Sequence, residues 1–213
     1  NLKFLASFLL LCAVVLYSTK RSDKVQEQAE RNFWNKERRA NSVRKKSLDA
    51  LNYITIPDTI LNMKPLSMTE EIRDYLKDLI DLSALPIVNL TGISNTDLKL
   101  AYGTANITVL TEYDSHYTNM VTILQKLAQC LVDHNEKELA AEVLEFAVST
   151  GTDVSRTYYL LASIYQENGQ KTRIRELITA ASSLNTMMKD SIIQKLESIL
   201  ASTSSQSSCN LVI

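Results

Sequence analysis

The chain has 213 residues, of which 45% are hydrophobic and 22% charged, enough for one medium domain or a small domain with appendages. Four glycines and three prolines are too few turn-formers for an all-β sandwich or a doubly wound α/β enzyme, so the composition favours an all-α fold. The net charge of −1 hides an asymmetry: residues 20–46 hold ten Lys/Arg and four Asp/Glu, whereas residues 47–213 hold twelve Lys/Arg against twenty Asp/Glu.

Phe4 to Tyr17 (FLASFLLLCAVVLY) carries no charge, and the run extends through Thr19 before Lys20. A membrane span uses about 20 apolar residues and a signal-peptide core about 7 to 15, so length alone does not separate the two. The opening Asn1 in place of Met, the lack of a small-x-small pattern after the run, and Lys20 and Arg21 placed to snorkel all favour a retained transmembrane anchor at residues 1–19. Basic residues crowd the stretch after the run and only Lys3 precedes it. The expected topology is a single-pass plasma-membrane protein with a cytoplasmic C-terminal domain. Leu11 before Cys12, where a lipoprotein acceptor has a small residue, leaves that cysteine as a packing or lipid-facing thiol.

Residues 20–50 form a basic juxtamembrane connector without Gly or Pro, and Val25, Ala29, Phe33 and Trp34 recur like a narrow helical stripe. A helix continuing from the apolar run to about Arg39 is predicted. Two readings stay open for it. In one, Arg38, Arg39, Arg44, Lys45 and Lys46 attract anionic headgroups, on the order of 1 kcal/mol each, with Phe33 and Trp34 as interfacial anchors. In the other, the segment is a topology signal and solvated spacer. No base-reading motif accompanies the run, and nucleic acid is not expected as a partner.

Residues 51–120 are expected to form an N-terminal helical capping region. Tyr53-Ile54-Thr55-Ile56-Pro57 suggests a short extended segment. Ser67-Met68-Thr69-Glu70 has capping-box spacing, and Ile72, Tyr75, Leu76, Leu79 and Ile80 give the helix behind it one apolar face. After Pro86, Ser94 and Asp97 start a second, small helix that Gly103 closes. From Ala105 onward, helical spacing through Leu131 fits one long helix or two consecutive ones. The sequons at Asn89 and Asn106 are chance matches if the domain is cytoplasmic.

At an offset of 34 residues the chain matches itself. Leu127-Ala128 aligns with Leu161-Ala162, Leu131 with Tyr165, Asn135 with Gly169, Leu144 with Ile178 and Ala147 with Ala181. The small Ala admits a close second helix, the large residue after it fills the seam, and Asn135 or Gly169 tolerates the positive φ of the turn. With these residues the chain resembles the tetratricopeptide repeat family, with units at about Val121 to Val154 and Ser155 to Met188. Lys189 to Leu200 would be the capping helix that closes residues 121–200. Taken whole, the order of parts also resembles uncharacterised single-span, membrane-anchored bacterial proteins of this type. The resemblance implies a concave groove for a protein or peptide, lined by Thr122, Gln125, Gln129 and Asp133, then Arg156, Tyr159, Ser163, Gln166 and Glu167. Arg156 is the single groove cation, so a carboxylate clamp is not expected, whereas Tyr159 beside it suits an extended peptide. Residues 201–213 form a Ser-rich tail predicted to be disordered.

No chemistry-bearing motif appears. The three unclustered cysteines (Cys12, Cys130, Cys209) imply neither a disulfide framework nor a zinc site, and the histidines, His116 and His134, have no ligand spacing. The sequence contains no phosphate loop or nucleophile elbow. The expectation is an all-α, membrane-anchored, non-catalytic interaction adaptor that needs no cofactor or metal. Competing readings are an extracytoplasmic repeat protein after signal cleavage, and an enzyme whose site is assembled only by the tertiary fold.

Overall fold

The computed structural model describes residues 2–209, except the side chains of residues 2, 3, 5, 6, 9, 13 and 203–209. It is all-α: among the described residues the one β-type pairing is an isolated antiparallel bridge between Tyr53 and Val88, flanked by a 2.9 Å bond from Ile54 N to Ile87 O. That bridge is the extended segment expected before Pro57. The chain divides into two compact units, Asn1–Leu48 with Ser94–Ile107, and Asp49–Ile93 with Thr108–Ile213.

The first unit is built on α1 (Leu2–Asn41). With no Gly or Pro to interrupt it, the helix passes without a break from the apolar run into the basic connector, as the spacing predicts. Arg38 and Arg39 occupy its last turn, where cations complement the helix dipole. The small helix α4 (Asn95–Tyr102) packs against the end of α1. Ser94 caps it by accepting from Asp97 N at 3.2 Å and donating to Asp97 Oδ2 at 2.6 Å. Two ion pairs, Lys36 with Asp97 at 2.7 Å and Glu37 with Lys99, lock the helices together, and Thr96 Oγ1 donates to Glu37 Oε2 at 2.7 Å. Lys99 above all holds the Glu37 carboxyl below its ordinary value, and Lys36 does the same for Asp97.

Residues 42–48 then cross α4 as a non-helical strap. Lys46 N donates to Tyr102 O at 3.0 Å, and the Asn106 amide donates to Lys46 O and Tyr102 O at 2.8 Å each. Gly103 ends α4 with φ 89°, and a Cβ there would lie 2.3 Å from Arg44 O. The strap therefore requires glycine. The segment 94–107 thus groups with α1 and the strap, whereas sequence spacing assigned it to the capping region of 51–120.

The second unit contains α2 (Asp58–Leu61), α3 (Glu70–Ser83), α5 (Ile107–Asp133), α6 (Lys137–Ser149), α7 (Ser155–Glu167), α8 (Lys171–Ser182) and α9 (Lys189–Cys209) around one apolar core. The cap of α3 is Thr69, whose Oγ1 accepts from Ile72 N at 3.2 Å, so the expected capping box at Ser67 does not form. Ser67 N instead donates to Glu136 Oε1 at 3.1 Å, at the turn after α5. Of the two options for residues 105–131, the single long helix is realised, after a short 3-10 turn at Thr104–Asn106.

The 34-residue periodicity reappears in three dimensions. Asp133 and Glu167 end α5 and α7, Lys137 and Lys171 begin α6 and α8, and each pair is 34 positions apart. The two turns close identically: Asn135 (φ 63°) and Gly169 (φ 68°) adopt the left-handed conformation. Glu136 N donates to Leu131 O and Gln170 N to Tyr165 O, both at 2.8 Å. Leu127 and Leu161, Ala128 and Ala162, and Ala147 and Ala181 are all buried at equivalent places. The helix α9 packs on α7 and α8. It runs on to Cys209, so most of the Ser-rich tail is helical where its composition predicts disorder: nothing in residues 201–209 breaks a helix that is already nucleated. Residues 210–213 lie outside the described residues.

No helix among the described residues is long and apolar enough to cross a membrane. The apolar run predicted as the anchor falls partly on side chains outside that description.

Candidate functional site

Helices α3, α5, α7 and α9 present side chains to a series of neighbouring cavities. One, of about 270 Å³, lies between α3, α5 and the start of α7 and brings together Gln125, Gln129, Asp133 and Arg156. The first three recur every fourth residue on α5, which places them on one face. Arg156 Nη2 donates to Gln129 Oε1 at 3.2 Å, and Gln129 Nε2 donates to Asp133 Oδ1 at 2.8 Å. Gln125 Oε1 accepts from Thr157 Oγ1 at 3.0 Å, and its buried Nε2 has no partner among the described residues. A donor left unsatisfied in this way costs about 1–3 kcal/mol, and an incoming acceptor would recover part of that.

The same cavity gathers residues that sequence spacing did not single out as a site: Glu71 and Tyr75 from α3, Lys126 and Cys130 from α5, and His134 from the turn after it. Cys130 Sγ donates to Glu71 Oε2 at 3.7 Å and lies 3.9 Å from His134 Nδ1. The trio has nucleophile-like composition but the wrong protonation. His134 Nδ1 lies 2.8 Å from Cys130 O, and because a carbonyl only accepts, that nitrogen carries its proton and cannot take one from the thiol. Burial, helped by the Glu71 carboxylate, pushes the Cys130 thiol above its ordinary value despite the opposing Thr69 hydroxyl. A thiol held protonated in this way is a poor nucleophile. Among the described residues no group of three His, Cys, Asp or Glu side chains is arranged to hold a metal ion.

The remaining groove candidates lie elsewhere. Tyr159 faces α9 in a separate cavity of about 390 Å³ with Ser191, Gln194, Lys195 and Ser198, its hydroxyl 3.5 Å from Ser191 O. Gln166 Nε2 donates to Ser202 Oγ at 2.9 Å, and Ser163 Oγ donates to Leu160 O at 2.7 Å within its own helix. Arg156 and Tyr159, paired by sequence proximity, therefore line different cavities, Arg156 reaching Gln129 of α5 and Tyr159 reaching Ser191 of α9. Thr122 opens on the α3/α5 side, and Glu167 forms an ion pair with Lys137.

On α6, α7 and α8 a second polar cluster surrounds Tyr165. Its hydroxyl donates to Glu145 Oε1 at 2.7 Å, Arg173 Nη2 donates to the same oxygen at 2.6 Å, and the guanidinium sits 5.3 Å from the ring centroid. Burial first, then the Glu145 carboxylate, drives the Tyr165 phenol far above its ordinary value. This cluster tethers α6 to α8 across α7. Nothing in the spacing of Glu145 and Arg173 announces it.

Both sequon amides are engaged. Asn89 Nδ2 donates to Thr150 O at 2.9 Å and to Gly151 O at 3.2 Å. Asn106, 1% exposed, donates to the strap as described.

The basic candidates are dispersed along the first unit. Lys20, Arg21, Arg38 and Arg39 are exposed on α1, as are Phe33 and Trp34, which pack edge to face at 5.4 Å. Arg44 and Lys45 project from the strap, and Lys46 Nζ donates to Leu100 O at 3.0 Å.

No family model, curated protein or solved structure matches the chain.

Proposed function

We infer that the chain is a membrane-anchored, non-catalytic adaptor whose repeat-like unit holds an extended segment of a protein partner against α3, α5 and α7. The observation that carries this is the cavity shared by those helices. Its Arg156–Gln129–Asp133 chain and the orphaned Gln125 amide offer donors and acceptors at fixed positions, which suits recognition of a peptide backbone. Support for the tetratricopeptide reading comes from the 34-residue recurrence of helix ends and turns. The protonated Cys130 thiol beside a committed His134 gives the cavity no activated nucleophile, which favours binding over catalysis.

The anchor itself is inferred from the sequence: an uncharged run ending at Lys20 and Arg21, with the basic residues on its C-terminal side and the acidic unit cytoplasmic. The uninterrupted α1 narrows the lipid contacts to residues near the run, Lys20 and Arg21. Phe33, Trp34, Arg38 and Arg39 then ride on a rigid stalk, and Arg44, Lys45 and Lys46 on the strap at its end.

Selection of peptides from a displayed random library against the full chain in detergent micelles tests the groove. Arg156→Ala and Gln129→Ala are each expected to weaken a selected peptide about tenfold, the effect of losing one charge-assisted contact or leaving its partner unpaired. Binding untouched by both variants would refute this site. The topology is tested by protease access to a C-terminal tag, expected to be protected in intact cells and cleaved in inside-out vesicles.

A further inference from the structure

The cavity next to the Arg156 site opens between α3 and α5, encloses about 400 Å³, and shares Tyr75 and Lys126 with it. The two form consecutive stations of one groove. The α3/α5 station has an unusual combination of walls. Leu82 and Ile123 supply apolar surface to its floor, beside Asn119 and Thr122, with the 44% exposed Leu85 at its edge. Its rim carries Asp78 and Asp81, three apart on α3 and hence adjacent on the helix surface. Among the described residues neither carboxylate forms an ion pair, although Lys126 lines the same cavity. Two like charges so placed repel each other mildly on the helix, and a cation between them would relieve that repulsion.

We propose that this station receives a lysine or arginine side chain of the extended partner peptide, its aliphatic stem on Leu82, Leu85 and the Tyr75 ring and its cationic head between Asp78 and Asp81. A long basic side chain is the natural residue with an apolar stem and a charged tip that matches apolar surface under an acidic rim. Beyond Tyr75 the groove turns to Glu71, Lys126, Asp133 and Arg156, with carboxylates and cations in equal number, so the residue that follows toward α7 is polar. The partner is therefore a peptide with a basic residue toward the α3 end and a complementary polar residue toward α7. This deepens the adaptor reading and rests on it.

The test is the same displayed decapeptide library, selected in parallel against the full chain and against the Asp78→Asn/Asp81→Asn double variant. The full chain should enrich Lys or Arg at one fixed position. A winning peptide synthesised with norleucine at that position should bind about five- to tenfold more weakly, as should the parent peptide to the double variant. Reversal to Asp78→Lys/Asp81→Lys should switch the enriched residue to Asp or Glu. The Asn variant should unfold at an unchanged or slightly higher midpoint, because it removes only repulsion between exposed groups. Selected peptides without a fixed basic residue, or with one that survives the double variant, would overturn this inference while leaving the groove intact. Failure to select any peptide would overturn the adaptor reading itself.

Discussion

Trp34 is the single tryptophan of the chain and is 55% exposed, so its fluorescence tests where α1 would stand relative to a bilayer under the proposed anchoring. It follows Lys20 by 14 residues on one unbroken helix, which at about 1.5 Å per residue is about 21 Å along the axis. Even at a tilt of about 40° it stands about 16 Å beyond the level of Lys20, whereas the headgroup layer is roughly 5–8 Å thick on each side. Arg38 and Arg39 lie farther out, about two Debye lengths or more from the headgroups at physiological salt, so their attraction to anionic lipid is screened roughly tenfold. The full chain reconstituted in phosphatidylcholine vesicles, with and without about 30% phosphatidylserine, should therefore give one Trp34 emission maximum, strong quenching by aqueous acrylamide and none by lipids brominated on their acyl chains. Val25→Pro, which breaks the helix at a cost of about 3 kcal/mol or more, should release the stalk and make the emission sensitive to phosphatidylserine. Quenching of the unmodified chain by brominated lipid would refute the stalk geometry and return Phe33 and Trp34 to the bilayer surface.

Gly103→Ala forces a side chain into φ 89° and places its Cβ 2.3 Å from Arg44 O, a cost of about 2–4 kcal/mol from backbone strain and overpacking. Hydrogen exchange should show the Lys46 amide losing its protection while α5 to α8 keep theirs, and unchanged protection at Lys46 would contradict the strap. Asn135→Gly, at φ 63°, should raise the unfolding midpoint by the equivalent of up to about 1 kcal/mol, whereas a β-branched residue there should lower it. The Glu37 and Asp97 carboxyls are held below their ordinary values of 4.5 and 3.8 by Lys99 and Lys36. Their contribution to the α1–α4 contact is thus fully present above about pH 4.5 and is lost as pH falls through the depressed folded-state values. Amide protection in residues 94–106 should follow that course, and Glu37→Gln with Asp97→Asn should abolish the dependence. For the Tyr158 phenol, pushed up to about 12 by burial, the sign is opposite: its contribution is intact below about pH 10 and is lost toward pH 12. Tyr158→Phe should flatten an alkaline unfolding profile over that window.

Much of the architecture is legible in the residues alone. Helical class follows from the scarcity of Gly and Pro, α3 from the spacing of Ile72, Leu76 and Leu79, and α4 from Ser94, Asp97 and Gly103, because caps and apolar periodicity are local and act on a few neighbouring positions. The two turns at Asn135 and Gly169 are legible for the same reason, and the offset of 34 shows because equivalent helix pairs must bury equivalent faces. Half of the candidate groove was also readable, since Gln125, Gln129 and Asp133 share a face of one helix whatever packs against it.

What lay beyond the sequence are pairings between segments far apart in the chain. Nothing local attaches residues 94–107 to the end of α1, yet the Lys36–Asp97 and Glu37–Lys99 pairs and the strap over Gly103 do so. Glu71 and Tyr75 meet Cys130 and His134 only where α3 and α5 line one cavity, and Arg156 parts from Tyr159 because one meets Gln129 of α5 and the other Ser191 of α9. Helix identity is set by neighbours in sequence, but a binding surface is set by which helices become neighbours in space. That choice depends on the complementary packing of whole faces, a property that no single segment carries.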